Sequence, residues 1–271
     1  MHTGETLSAQ QYIEAIHSNA AMFSTAAQKN LRAPVPSCPG WFVATLVAHL
    51  AEVQHFWALQ VRRRAQEPIS LPEATFEECP GLLSWFDGVD AGTPDLDAIP
   101  ATLLDWFESG ARELVEAFQA VQPDEPIWHW SGDNRAITHM RNQAIEAAVH
   151  RWDAENAQGE TSPIQETVAL DGIDQHFQVQ IPAARKGGEA LKGSGESYHF
   201  HRMDGPGEWL VRFEEDQVIM SHAHAKADIA IRGPLELIFL WLWRRVPSDG
   251  LEVLGDRSLL DRYRRLVPPS Q

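Results

Sequence analysis

Three side chains, those of His49, Glu146 and His150, combine residue types and a spacing that suit metal binding. Glu146 and His150 stand four residues apart in MRNQAIEAAVHRWDAE, which reads as a helix, so both project from one helical face. His49 lies in VPSCPGWFVATLVAHLAEVQHF, a second helical pattern far earlier in the chain. We expect His49 to close the site from a facing helix. Two imidazoles and one carboxylate leave coordination positions open, as a catalytic metal site requires.

Asp153, three residues after His150, is placed to accept a hydrogen bond from a ligand imidazole and to fix its tautomer. It could instead pair with Arg151 or Arg141. The spacing of Glu146 and His150 also fits an ordinary exposed pair, worth about 0.2–0.5 kcal/mol. The neighbours of that pair favour the functional interpretation, because a polar pair among apolar residues needs a partner. These neighbours are Ala147, Ala148, Val149 and Trp152.

The elements that must position these residues read as four long helices. Ser8 is a suitable N-cap for the first, and apolar residues at helical spacing predict others over about 42–65, 101–122 and 137–158. Four helices of this length with polar residues facing inward indicate a bundle that can hold a metal in its core. The character of the sequence changes after residues 159–163. We therefore predict a bundle domain over residues 1–160 and a second domain over 161–271.

The second half predicts a smaller α+β domain. A helix is expected over 166–184, followed by short segments that alternate with period two and predict antiparallel strands. Another helix over 234–245, a strand in LEVLGD and a helix over 258–266 complete this half. The alternating segments are SYHFHRM, EWLVRF, QVIMSHAH and ADIAIRG.

Two histidine pairs occur in the predicted strands, His199 with His201 and His222 with His224. Side chains two apart share one face of a sheet, so each pair could contribute to a metal site. We see no carboxylate in a matching third position, and we do not predict a second metal here. Instead we expect His201 to face the cleft between the domains and to hold an acidic substrate or a thiol.

Arginines of the second half could recognise a carboxylate through a bidentate guanidinium. We take Arg212 and Arg244 as the candidates for binding the cofactor or substrate, alongside His201. Arg232 and Arg245 are the alternatives.

Composition excludes several classes of partner. The formal net charge of -16 disfavours binding to nucleic acid or to anionic lipid through a basic face. Two cysteines, Cys38 and Cys79, are too few for a disulfide framework and fit a reducing compartment. The first residues show no secretory signal, and the apolar run at 235–243 is too short to cross a bilayer. We expect a cytoplasmic protein that acts on small molecules as a monomer or homodimer.

Several motifs are similar to those of one known family. CPGW before a helix with VAHL, followed much later by EAAVHRWDAE, resembles the N-terminal domain of the mycothiol-dependent maleylpyruvate isomerase family. HFHRMDGPGEW, ADIAIRGPLELIFLWLWRR and LEVLGDRSLL resemble its C-terminal domain. The resemblance implies a two-domain α+β protein, with an N-terminal DinB-like four-helix bundle and a small C-terminal α+β domain with an antiparallel sheet.

The resemblance also implies a site and a chemistry. Members of that family bind a divalent metal, typically zinc, at positions that correspond to His49, Glu146 and His150 here, and they use the thiol mycothiol. A coordinated thiol loses its proton, and the thiolate adds to an electrophilic carbon. Isomerisation of a cis-enedioate and transfer of the thiol share this first step, so both stay open. The alternatives are a non-catalytic ligand-binding or regulatory module and a metallohydrolase that needs no thiol.

Overall fold

The computed structural model describes residues 6–85, 94–186 and 191–267. It divides into two compact units, one from Ser8 to Pro163 and one that includes Ile164 onward. That the two are separate domains, with limits at residues 160 and 161, stays a prediction.

The first unit begins with helix α1, Ala9–Lys29, whose start is fixed by a capping box. The Ser8 hydroxyl accepts a hydrogen bond from the Gln11 backbone N–H, and the Gln11 side-chain oxygen accepts one from the Ser8 N–H. Two donors that the helix itself cannot satisfy are thus paired. One face of α1, which carries Ile16 and Phe23, is fully buried.

Three further long helices and one short helix complete this unit. They are α2, Val43–Arg62; the short α3, Glu73–Glu77; α4, Leu103–Gln119; and α5, Ala136–Ala157. Helix α1 packs mainly against α5, and α2 packs mainly against α4, around a core that includes Phe23, Trp106 and Phe107. The predicted helical fold is confirmed.

The second unit opens with a nearly continuous helical segment, interrupted by one π-helical turn at His176–Gln180. A five-stranded sheet follows. The elements are α6, Glu166–Gln175; α7, Ile181–Arg185; β1, Gly193–Arg202; β2, Glu208–Glu215; β3, Gln217–Ser221; β4, Ile229–Gly233; α8, Leu235–Leu242; the 3-10 turn Ser248–Gly250; β5, Glu252–Gly255; and α9, Ser258–Leu266. The strands lie in the order β3-β2-β1-β4-β5 across the sheet.

The sheet is mixed. Strands β1 and β4 pair in parallel, whereas the other three pairs are antiparallel. After β3 the chain crosses to the far side of β1 and enters β4 in the direction of β1. This crossover shortens the strand predicted over QVIMSHAH: β3 ends at Ser221, so His222 and His224 follow the strand, and the prediction that they alternate within it is wrong.

Aromatic side chains hold helices α8 and α9 to one face of the sheet. Tyr263 of α9 lies with its ring centroid 5.3 Å from that of Tyr198 in β1 and 5.1 Å from that of Trp241 in α8. All three are almost fully buried, and rings at these separations add to the stabilisation from burial. Within the described residues, no helix combines the length and the apolar character needed to cross a bilayer.

Candidate metal centre

Helices α2 and α5 bring together the three side chains that the sequence singled out. Glu146 Oε1 lies 3.2 Å from His49 Nε2 and 3.2 Å from His150 Nε2. In a tetrahedral zinc site with bonds of about 2.0–2.1 Å, neighbouring ligand atoms are about 3.3 Å apart. The observed separations match that spacing, and they also match hydrogen bonds between the same atoms. The role of the three residues as ligands stays a prediction.

Asp153 lies directly behind His150. Its Oδ2 is 2.9 Å from His150 Nδ1, and its Oδ1 accepts a 2.6 Å hydrogen bond from the Ser37 hydroxyl. A carboxylate at Nδ1 favours the tautomer with a proton on that nitrogen, which leaves Nε2 directed at Glu146. Asp153 is fully buried and contacts His150, while the guanidinium of Arg151 binds Glu155.

The charges around the centre favour a cation. Burial raises the pKa of Glu146, but hydrogen bonds from His150 and His49 outweigh that effect and hold it well below its usual value. Burial lowers the pKa of His150, but hydrogen bonds to Asp153 and Glu146 raise it to about 9. Two carboxylates thus flank one imidazole. Positive charge at this position, from a proton or from a metal ion, is stabilised by both of them.

The open side of the centre is formed by partly exposed groups. The His49 side chain is 29% exposed and that of Glu146 is 24% exposed, against 9% for His150. The ring of Trp41 meets that of His49 edge-on at 5.4 Å. His49 and Glu146 therefore form the solvent-exposed edge of the group, and His150 forms its buried side.

A tight turn before α2 supplies contacts that the sequence analysis did not predict. Cys38 N donates to Val35 O, and Trp41 N donates to Cys38 O, while Gly40 adopts a positive φ of 87° that glycine tolerates best. The turn places Cys38 Sγ 3.8 Å from Asp153 Oδ2, beside the Ser37 contact. The cysteine is thus part of the wall behind His150. The CPG segment signals the turn, but not its contact with a helix over a hundred residues away.

The three residues predicted to bind a cofactor in the second half do not form one group. Arg212 is exposed and lies 3.7 Å from Glu214. Arg244 Nη2 donates to the carbonyl oxygens of Arg264 and Val267, so it joins the end of α8 to that of α9. Only His201 lies in a polar cluster, with Glu208. A cofactor role for these residues stays a prediction, and for Arg244 the contacts indicate a structural role.

Glu208 is the residue that the sequence analysis missed. The sequence showed no carboxylate in a position to accompany His199 and His201, but β2 places Glu208 directly opposite His201 in the register of the hairpin. Its carboxylate contacts His199, His201 and His224. The sequence feature that could have identified Glu208 is the turn-forming MDGPG between the two strands, because a hairpin turn fixes which residues face each other.

A four-helix bundle that carries a His–Glu–His group, followed by an α+β unit with a mixed sheet, defines the class of protein. Two family models match the chain in the same order. The mycothiol maleylpyruvate isomerase N-terminal domain matches residues 13–155, more than half of the chain, and the C-terminal domain of that enzyme matches residues 167–262. The chain belongs to the mycothiol maleylpyruvate isomerase family.

Solved structures show the same fold. A crystal structure of a mycothiol-dependent maleylpyruvate isomerase aligns with a TM-score of 0.60 at 15% identity, over 93% of this chain and 95% of the other. A mutant of a mycothiol-dependent maleylpyruvate isomerase, in which alanine replaces one histidine, aligns with a TM-score of 0.59 at 16% identity, over the same shares of the two chains. At this identity the likeness concerns the fold alone. No curated protein gave a significant match.

Proposed function

We propose that this protein is a metal-dependent enzyme that uses a low-molecular-weight thiol, mycothiol or a close analogue, to isomerise or conjugate a small electrophile. We expect the substrate to carry a carboxylate, as the cis-enedioate maleylpyruvate does. The observation that carries the proposal is the 3.2 Å spacing of Glu146 Oε1 from both imidazoles, in a chain of this family.

The donor set fits a divalent metal, with zinc the best candidate. Two imidazole nitrogens and one carboxylate oxygen are zinc ligands, and three protein ligands are the number found in catalytic zinc sites. His49, Glu146 and His150 would hold the ion. When bound, such an ion acts as a Lewis acid and favours the thiolate form of a nearby thiol at neutral pH.

The protein's own residues would orient the reactants. Asp153 and Ser37 fix the His150 ring, and Trp41 flanks His49, the most exposed member of the group.

The thiolate sulfur adds to one carbon of a cis double bond, and the electron pair of that bond moves toward the conjugated carbonyl. Rotation about the new single bond and loss of the thiolate then return the trans alkene. If a proton instead quenches the carbanion, the product is a stable thioether.

Isomerisation and transfer are distinguished by what happens to the thiol. We expect turnover of maleylpyruvate with mycothiol, measured by product chromatography together with titration of free thiol. Isomerisation leaves the thiol concentration unchanged, whereas conjugation consumes one thiol per product.

His150→Ala should lower kcat/KM by at least about 100-fold, the scale of loss when a group that fixes a catalytic metal is disturbed. His17→Ala, which removes an exposed histidine of the same bundle, should leave it unchanged.

Two results would overturn the proposal. Hydrolysis of carboxylate esters or amides at the same rate with and without thiol, lost in His150→Ala, would indicate a metallohydrolase. Metal-loaded protein that binds the thiol but turns over neither enedioates nor epoxides would indicate a ligand-binding module.

The small-molecule reaction and the two free cysteines, Cys38 and Cys79, support the cytoplasm as the location of the protein.

A further inference from the structure

A second group of imidazoles surrounds one carboxylate in the α+β unit. Glu208 Oε2 lies 2.5 Å from His199 Nε2, and Glu208 Oε1 lies 2.6 Å from His201 Nδ1 and 3.0 Å from His224 Nδ1. The four ligand atoms lie within 4.8 Å of one another. None of these residues belongs to the group in the bundle.

The sheet and the following loop build this arrangement. His199 and His201 are two apart on β1, so they share a face of the sheet, and Glu208 pairs with His201 across the hairpin. His224 comes from the segment between β3 and β4, beyond the end of the strand. Two strands therefore fix three donors, and the segment that follows β3 supplies the fourth.

Burial differs among the four donors in a way that suits ion capture. The His199 side chain is 8% exposed and those of His201 and Glu208 are about one quarter exposed, whereas that of His224 is 74% exposed. The three strand donors form the base of the site, and His224 lies on its solvent-exposed side. A cavity of about 280 Å³ opens here, and His201, Glu208, His222 and His224 are among its lining residues.

The donor chemistry is that of a transition-metal site. Imidazole suits zinc, copper, nickel and iron, and one carboxylate adds charge that compensates the ion. Calcium and magnesium prefer sites made of oxygen ligands, and three nitrogen donors disfavour them. In a tetrahedral site the ligand atoms are about 3.3 Å apart, so the two shortest contacts would lengthen by less than ~1 Å.

A neighbouring hydrogen-bond network supports the geometry of Glu208. His222 Nδ1 is 3.1 Å from the Glu208 backbone oxygen, and His222 Nε2 is 3.3 Å from Asp174 Oδ1. The buried Trp209 indole donates a 2.6 Å hydrogen bond to the same Asp174 oxygen. This network ties the start of β2 to helix α6, and it holds the Glu208 backbone in place.

We propose that His199, His201, Glu208 and His224 form a second site for a divalent transition metal of the zinc type, independent of the ligands in the bundle. Four protein donors without a required water are typical of a structural site. Metal binding would link the segment between β3 and β4, which carries His224, to strands β1 and β2. The expected result is a more stable α+β unit, because an ion that binds the folded state raises its stability.

The experiment counts zinc in the full chain, without a histidine tag. In a His49→Ala/His150→Ala background, which disables the bundle site, calorimetric titration with Zn²⁺ should still give one equivalent. Adding His201→Ala/His224→Ala should weaken binding by more than the roughly 100-fold that loss of a hydrogen-bond partner behind a ligand can cost. Adding His17→Ala instead, as the matched control, should leave the equivalent in place.

Folding of each variant is checked by its thermal unfolding without metal, which should change little because His201 and His224 are partly or largely exposed. Two results would overturn the second site. One is the absence of a zinc equivalent in the His49→Ala/His150→Ala protein. The other is an equivalent of unchanged affinity after His201 and His224 have been replaced. Neither result depends on enzyme activity, so both are separate from the fate of the proposed reaction.

Discussion

At the scale of single residues, the proposed metal ligands depend on a carboxylate that would not itself touch the ion. Asp153 is fully buried, and it binds both His150 Nδ1 and the Ser37 hydroxyl. Its position fixes the ring that presents Nε2 to Glu146. We therefore predict that Asp153 acts as a positioning residue, with an effect on metal affinity as well as on rate.

We predict that Asp153→Asn lowers zinc affinity by about 10–100-fold while leaving the protein folded, because an amide can occupy the same space but holds the imidazole less strongly. Competition with a chromogenic chelator measures the affinity, in a His201→Ala/His224→Ala background that removes the second proposed site. Ser37→Ala, which removes only the second hydrogen bond to Asp153, should give a smaller loss. Unchanged zinc affinity in Asp153→Asn would show that this carboxylate has no part in binding.

Single residues also show how far the sequence leads. Glu146 and His150 could be paired from their spacing, because the helix repeat places them on one face. His49 could be assigned to the same site only from the pattern of the second helix and from the family resemblance. Glu208 could not be found from local spacing, because its place opposite His201 depends on the register of a hairpin. The contact of Ser37 with Asp153 links residues 116 positions apart, and no local pattern encodes it.

At the scale of elements, helix α5 carries two of the proposed ligands and is anchored by a buried arginine. Arg151 is 1% exposed; its guanidinium binds the Glu155 carboxylate at 2.7 Å and donates to Asn19 Oδ1 of α1 and to the carbonyl oxygen of Ser162. The contacts tie α5 both to α1 and to the chain that leaves the bundle. Sequence patterns predicted the helix, but they did not predict a structural role for Arg151.

We predict that Arg151→Met lowers the free energy of unfolding by about 3 kcal/mol, because it leaves the buried Glu155 without its charged partner. Urea unfolding followed by circular dichroism measures the change. Arg62→Met is the matched control. It removes an exposed arginine that pairs with Glu113 at 2.9 Å, and a surface pair contributes less than about 1 kcal/mol. Equal losses in the two variants would contradict the anchoring role.

The elements were predicted more reliably than their pairing. The four long helices follow from apolar residues at helical spacing and from the Ser8 cap, which the structure reproduces. The strands follow from alternation, but alternation does not fix direction. The parallel pairing of β1 with β4 results from the crossover after β3. The same crossover moves His224 out of the strand and onto Glu208.

At the scale of the whole molecule, buried neutral histidines make stability depend on pH. Burial lowers the pKa of His129 to about 3, that of His139 to about 4 and that of His176 to about 3. In an unfolded chain the histidine pKa is about 6.5. Between these values the unfolded state binds protons that the folded state does not. The contribution of these groups to stability is therefore complete above a pH of about 6.5 and falls as the pH decreases toward the folded-state values.

We predict a loss of up to about 1.4 kcal/mol per pH unit for each of these histidines between about pH 6.5 and pH 5. Urea unfolding at a series of pH values measures the slope. His176→Phe should reduce the slope, because Phe cannot take up a proton in the unfolded state, whereas His17→Gln removes an exposed group and should leave it unchanged. A stability that is constant over this pH range would refute the assignment of these histidines as neutral and buried.

The proposed chemistry depends on one ion shared by two helices of the bundle. The most direct measurement is anomalous scattering at the zinc edge from a crystal of zinc-saturated protein. We predict a peak within about 2.0–2.2 Å of His49 Nε2, His150 Nε2 and a Glu146 carboxylate oxygen. A crystal of the folded, zinc-saturated protein with no anomalous peak in reach of these three atoms would contradict the metal centre and the reaction proposed for it.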